Sequence, residues 1–355
     1  MSIVATPHDT EVVKSGEVSL PPKPREWFKF YTPGECKDYE PPPGFVLVGD
    51  CHLVRGSVTI IGGPPGVGKS RSGTALAEAG ATGNDWFGLK VHQRFKTAIL
   101  QGENGRYRLK TEFAELDAAT LNEFVRVSDV PPYGMAFDSV EFRIALREWL
   151  ADFRPDVLLL DPWNGIVRDD KQKDFREAFD CIRDVLPKGD QSPAIVIVAH
   201  TRKSKAEERK SGRALLQELS GSHALGSVPR CVFVMQAASD DETDERVVWT
   251  CCKNNDGKLG AHTAWFRRNG LFEPCEDFDW NEFDGPAKAD AKAITKTDLD
   301  SLFAGDRKLT RKQAVAELKS RKSFGPSACY NALKTDGRFA AHLHEAADGL
   351  LTWTP

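Results

Sequence analysis

The residues Gly63-Pro64-Pro65-Gly66-Val67-Gly68-Lys69-Ser70 fit the spacing G-x-x-x-x-G-K-[ST], and Arg71 follows directly. Glycines let successive backbone N–H groups turn inward, and the start of a helix adds positive potential at the same point, so this stretch is suited to an anionic phosphate chain. Lys69 is placed to reach the β- and γ-phosphates of a nucleoside triphosphate, and the Ser70 hydroxyl to hold Mg²⁺. The match gains weight from its flanks: a β-branched run, "SVTII", precedes it and an Ala-rich helical pattern follows.

A phosphate loop needs an acidic partner from another strand, and the sequence offers Asp161 at the end of the apolar run "VLLLD". Asp161 is the candidate second metal residue beside Ser70. Two further strand ends carry chemistry. "TAILQGENG" presents Glu103, a carboxylate able to take a proton from water attacking a γ-phosphate. "AIVIVAH" presents His200, a candidate sensor of phosphate state. Taken alone, Glu103 is equally a solvated turn residue and His200 a satisfied histidine. The loop after His200 holds six basic residues between Arg202 and Arg213, against Glu207 and Glu208. Such a run is either a solvated face or a contact for nucleic-acid phosphates.

These residues need a scaffold of strands whose ends converge. Candidate strands are Ser57–Ile61, Thr97–Gln101, Glu123–Ser128, Val157–Asp161, Ala194–His200, Cys231–Gln236, Arg246–Cys252 and His262–Arg267. Several are continuously apolar, as strands covered on both faces are, which points to a mostly parallel sheet between helix layers. Helical candidates lie near Lys69–Ala79, Arg106–Glu115, Ser139–Asp152 and Asp174–Val185. The alternation predicts an α/β fold with the P-loop in its core. The last strands follow one another without helices and are expected to be antiparallel.

The expected organisation is a Pro-rich arm over 1–45, an α/β domain over 46–272, an acidic then Ala- and Lys-rich linker over 273–297, and a small domain over 298–355. In the last, Thr310 and Gln313 form a T-x-x-Q capping box and Pro326 sits at a helix start. "GRF" and "GLLTW" read as two short strands. Helix, helix and hairpin is the order of a winged helix-turn-helix. Between Asp306 and Arg338 nine basic residues face three acidic ones, and Ser327, Tyr330 and Asn331 would lie near a major groove. A helical protein–protein module with a solvated basic face is the other reading.

The 355 residues carry a formal net charge of −4, which excludes a polycationic protein and confines nucleic-acid contact to local patches. Eight cysteines contain no C-x-x-C pair, as expected of reduced buried thiols. With no signal pattern and no apolar run of membrane length, a cytoplasmic location and no membrane partner are expected.

The ordered set "QGENG", "LLLDPWNG", "VAHTRK" and "SGSHALGSVPRCVFVM" resembles the RecA-like ATPases of the plasmid replicative helicase RepA type, within the AAA family ATPases, over about residues 46–270. The resemblance implies a catalytic glutamate at Glu103, a Walker B aspartate at Asp161 and a histidine sensor at His200. It implies an arginine finger at Arg230 acting on a neighbouring subunit. On residue chemistry alone Arg230 is equally a surface arginine at a strand start. The resemblance further implies ATP and Mg²⁺ as ligands, a hexameric ring and single-stranded DNA as partner. One departure stands out. Related DnaB-type helicases have K-x-R-x-G where this chain has Lys253 followed by Asn255. Two functions therefore compete: a DNA motor, and an ATP-switched DNA-binding regulator or loader. A small-molecule kinase also uses a phosphate loop, but no arginine-rich lid is present in the sequence to support it.

Overall fold

The computed structural model describes residues 29–355 except 168–171, 203–210, 220–222, 240, 242, 269–270, 281–282, 284–293, 306, 323, 325–328, 331, 336, 347–348 and 355. The chain divides into two units at Phe45/Val46. In the first, helix α1 (Pro33–Lys37) is closed by a capping box: the Glu35 amide donates to the Thr32 hydroxyl at 3.2 Å, and the Thr32 amide to the Glu35 carboxylate at 2.8 Å.

The second unit begins with a small antiparallel pair, β1 (Val46–Val48) and β2 (Leu53–Val54). The main sheet then takes strands β3 (Val58–Gly63), β4 (Thr97–Gln101), β5 (Val125–Val127), β6 (Val157–Asp161), β7 (Ala194–His200), β8 (Cys231–Ala237), β9 (Arg246–Asn254), β10 (Thr263–Phe266) and β11 (Glu273–Pro274). Their order is β11-β10-β9-β8-β3-β7-β6-β4-β5. The pairs from β8 to β5 are parallel, and those from β8 to β11 are antiparallel, as expected for strands joined without helices.

The apolar runs divide between two faces with a period of two. Leu159, Val196 and Val198 enter one core with Leu76, Ala77 and Leu121; Leu158, Leu160, Ile195 and Ile197 enter the other with Leu150, Phe179 and Ile182. The first core lies under α2 (Lys69–Thr82) and α4 (Ala118–Phe124), the second under α5 (Val140–Phe153) and α6 (Gln172–Asp184). The fold is thus α/β, a mostly parallel sheet between helix layers. Helix α3 (Arg106–Phe113) follows β4, and α7 (His223–Ser227) precedes β8.

Two expected strands are corrected. Glu123 and Phe124 close α4 and do not open a strand, because Asp117 caps that helix by accepting from the Ala119 amide at 3.0 Å; β5 begins at Val125. "GRF" lies in turns, with the Ala340 amide donating to the Gly337 carbonyl, and the strand comes later. Residues 273–283, read as the start of a linker, add β11 and pack Phe278 and Phe283 on Ala238, Val248 and Ala264.

The C-terminal residues form α8 (Lys296–Leu302), β12 (Leu309–Thr310), α9 (Arg311–Lys322), β13 (Leu343–Glu345) and β14 (Leu350–Trp353), with sheet order β12-β14-β13. Leu299, Leu318, Leu333, Leu343 and Leu351 fill a core of their own. The Thr310–Gln313 box is formed, with the Gln313 amide donating to the Thr310 hydroxyl at 3.3 Å. Tyr330 is exposed; Pro326, Ser327 and Asn331 lie outside the described residues.

Candidate functional site

Because β3, β7, β6 and β4 are parallel neighbours, their carboxyl ends fall side by side. Gly63 pairs with His200, and Gln101 with Asp161. This edge of an open α/β sheet is where such folds bind ligands. The loop from Gly63 to Gly68 leaves β3 there and runs into α2.

The loop cannot be built from larger residues. A Cβ at Gly63 would lie 2.7 Å from the Met235 carbonyl oxygen and 2.9 Å from the Val67 side chain. Gly66 and Gly68 adopt φ of 77° and 108°, the left-handed region where glycine is unstrained. Pro64 and Pro65 lie between Gly63 and Gly66, Val67 is buried, and Lys69 and Ser70 open α2. Lys69 folds back over the loop, its Nζ donating to the Pro64 carbonyl at 2.7 Å. Burial lowers its pKa from the ordinary lysine value to about 8, against the opposing pull of Asp161 and Glu103.

The Ser70 hydroxyl lies near enough to Asp161 to favour its ionised carboxylate. Asp161 is only 6 % exposed, and burial raises its carboxyl to about 6; the Glu103 charge adds to the rise, while Ser70 and Lys69 oppose it. A hydroxyl and a neighbouring buried carboxylate are hard oxygen donors, the set that suits a divalent cation arriving with a triphosphate. Among the described residues no cluster of three or more His, Cys, Asp or Glu is arranged to hold a metal ion.

Glu103 is exposed, in the turn after β4, and its charge is felt by Lys69, Asp161 and His200. His200 is half-buried and held below the ordinary histidine pKa, by burial first and by Lys69 second, so it is neutral at pH 7. The structure therefore gathers Lys69, Ser70, Glu103, Asp161 and His200 at one edge. It does not bring Arg230 there. Arg230 precedes β8 at the opposite edge, its amide donating to the Val58 carbonyl and its guanidinium engaging both carboxylate oxygens of Asp256. Lys253 is nearby in the fold, donating to the Gly226 carbonyl at 2.9 Å.

Several contributors escaped the sequence reading. Buried Gln101 builds the Glu103 turn: its Oε1 accepts from the Asn104 amide at 2.6 Å and its Nε2 donates to the Ser128 carbonyl at 2.9 Å. Arg267 donates to the Gly66 carbonyl at 2.6 Å; Arg71, the last residue of the expected nucleotide-binding stretch, lies close enough to Arg267 and Arg108 for their charges to lower its pKa further, after burial. Buried Glu112 accepts from Thr74 and pairs with Arg108 at 3.4 Å, tying α3 to α2. A cavity of about 600 Å³ lined by Arg55, Arg147, Arg154 and Asp156 lies at the amino ends of β6 and β7, away from the phosphate loop.

The pKa of Asp161 sets a pH dependence. A proton competes with a cation for this carboxylate, so protonation weakens cation binding as pH falls through about 6. Magnesium-dependent nucleotide affinity is expected to drop by up to about tenfold per pH unit below 6. Titration of a fluorescent ATP analogue with and without Mg²⁺, from pH 7.5 to 5, checks this. Asp161→Asn serves as the control that removes the Asp161 component and leaves the nucleotide's own protonation.

A glycine-rich loop gripping the start of a helix, a lysine laid over it and a serine–aspartate pair beside it define a P-loop nucleotide-binding protein of α/β architecture. The chain belongs to the AAA domain family, whose model matches residues 28–206, just over half of its length. No curated protein matches it. Two solved structures similar to it are the RadB recombinase (11 % identity, TM-score 0.43, covering 63 % of this chain and 93 % of that one) and the KaiC-like protein PH0186 from Pyrococcus horikoshii OT3 (11 % identity, TM-score 0.44, covering 66 % and 96 %). No described helix is long and apolar enough to cross a membrane.

Proposed function

We propose that this protein is an oligomeric, Mg²⁺-ATP-dependent ATPase that acts on DNA, a helicase-like motor of the kind its RepA-type motifs suggest. The observation that carries the nucleotide chemistry is the convergence of Lys69, Ser70 and buried Asp161 at one sheet edge, beside Glu103 and His200. Mg²⁺, when bound through Ser70 and Asp161, supplies charge neutralisation at the phosphate oxygens. The loop amides and Lys69 hold the triphosphate. Glu103 takes a proton from the attacking water, in the turn that Gln101 fixes. His200, neutral and facing that edge, passes the phosphate state to the basic loop that follows it, of which 203–210 lie outside the described residues. Single-stranded DNA is the expected partner of Arg202–Arg213, and duplex DNA that of the C-terminal winged-helix-like domain.

Arg230 supplies positive charge to the site of the next subunit in a hexameric ring, as its place at the far edge of the sheet permits. Lys69→Ala and Arg230→Ala proteins, each inactive alone, are therefore expected to recover part of the turnover when mixed, because mixed rings contain some intact sites. Absence of recovery excludes a finger acting in trans. Turnover with and without single-stranded DNA, alongside particle mass with a non-hydrolysable analogue, tests the motor as a whole.

A specific observation favours the second reading, an ATP-switched DNA-binding regulator or loader. Arg230 is held by Asp256 of its own chain, and Asn255 stands where a second arginine would act. ATP-dependent duplex binding without strand displacement would support this reading over the motor.

A further inference from the structure

Cys231 and Cys251 lie on adjacent antiparallel strands with their sulfurs 3.9 Å apart. Their meeting depends on one irregularity. β8 and β9 pair Val232 with Lys253 but Phe233 with Cys251, so Cys252 is an extra residue with no partner. Such a bulge turns the following side chains to the other face. Here it moves Cys251 to the face of Cys231 and Phe233 and sends Cys252 into the opposite core. In the regular register Cys251 would point away.

The same face holds a base. The His52 ring stacks on Phe233 with centroids 5.7 Å apart, and its Nε2 lies 3.3 Å from the Leu259 carbonyl. A carbonyl only accepts, so Nε2 carries the hydrogen and the buried Nδ1, packed against Gly49, keeps a lone pair with no hydrogen-bond partner. The electrostatics agree. Cys231 and then His52 draw the Cys251 thiol below its ordinary pKa, while burial pushes the Cys231 thiol up. Asp50 also acts to raise the pKa of His52, and the Lys253 carbonyl is a second acceptor for the Cys251 thiol at 3.4 Å. Cys251 keeps 7 % of its surface open against 1 % for Cys231, so a small reagent reaches Cys251 first.

We infer that Cys231 and Cys251 form a hydroperoxide-sensitive dithiol, with Cys251 the attacking sulfur, His52 its base and Cys231 the resolving thiol. The Cys251 thiolate attacks one oxygen of hydrogen peroxide; an S–O bond forms, the O–O bond breaks, and the departing hydroxide takes the proton from the His52 imidazolium and leaves as water. The Cys231 sulfur then attacks the sulfenic sulfur. An S–S bond forms, the S–O bond breaks, and the hydroxide leaves as water with the Cys231 proton. Two thiols are oxidised and one peroxide is reduced to two waters. The cross-link ties the residue after Arg230 to the residue two before Lys253. Its effect on turnover rests on the reading of Arg230 given above; the oxidation itself does not.

The test uses the whole chain. Reduced protein is treated with hydrogen peroxide, blocked with N-ethylmaleimide in denaturant and mapped by peptide mass. A Cys231–Cys251 peptide pair lighter by two hydrogens, restored by dithiothreitol, is expected. His52→Phe, which keeps the stacked ring, is expected to form it at least tenfold more slowly. Full alkylation of Cys231 and Cys251 after the more open Cys36 and Cys51 have reacted overturns the proposal, and so does an unchanged rate in His52→Phe. The wild-type map needs no cysteine variant to fold. If the cross-link forms and ATP turnover is unchanged, the oxidation site stands and its coupling to Arg230 falls.

Discussion

Replacing Lys69 by alanine is expected to lower ATP turnover by at least a thousandfold and to abolish the thermal stabilisation that nucleotide gives the wild type. Lys69 is buried, and its closest acceptor is the Pro64 carbonyl. Its ammonium is thus poorly solvated, as its pKa of about 8 records. A triphosphate supplies the negative charge this group lacks, so much of the binding energy is concentrated in one contact. A ligand at a hundred times its Kd stabilises a protein by about 2.7 kcal/mol, which a melting curve resolves easily. The nucleotide-free protein carries a second signature. A lysine whose folded pKa is depressed binds fewer protons than the unfolded chain between about 8 and 10.5, so stability rises with pH across that window. Lys69→Ala should flatten this rise. A variant that retains wild-type turnover would remove the phosphate loop from the chemistry.

Asp161→Asn is expected to separate activity from stability. Turnover falls by at least a hundredfold, because a neutral amide is a poor substitute for a carboxylate at a hard cation. Melting temperature without nucleotide rises. The raised pKa means that the folded state holds the ionised carboxylate at a cost, absent at low pH and present in full once pH exceeds about 6. Asparagine removes that cost and keeps an acceptor oxygen near Ser70. A gain of about 1–2 kcal/mol at pH 7.5 is expected, falling to roughly half near pH 5 and toward zero only below about pH 4, where the unfolded chain's carboxyl is protonated as well. Denaturant unfolding of both proteins at the two pH values checks the sign. A loss of stability at pH 7.5 would mean that Asp161 serves the scaffold and not a bound cation.

The sequence makes some of this plain and hides the rest for identifiable reasons. The runs at Val157–Asp161 and Ala194–His200 are apolar on both faces, and the strands end where their side chains become polar. Glu103 and His200 are legible as strand-end residues, but their convergence follows only from the strand order β3-β7-β6-β4. Gln101 looks like one more strand residue; its role lies in two hydrogen bonds to segments that the local pattern does not name. Arg267 reaches Gly66 across some two hundred residues of chain, a contact no short-range spacing encodes. The Cys252 bulge is equally silent, since "WTCCKN" reads as regular strand. The α4 boundary was hidden because the Asp117 cap competes with the β-branched residues that follow it.

The position of β3 has a consequence for how the protein is made. Val58 pairs with Ile195 and Thr59 with Cys231, so the strand that launches the phosphate loop has no neighbours until most of the polypeptide has been synthesised. Helix α2 offers little local help, since Gly73 and Gly80, whose missing side chains let it sit against Leu159 and Phe95, each weaken it by about 1 kcal/mol relative to alanine. Ribosome-bound fragments that stop short of β8 should therefore lack nucleotide affinity, and the grip on ATP matures late, as a property of high contact order.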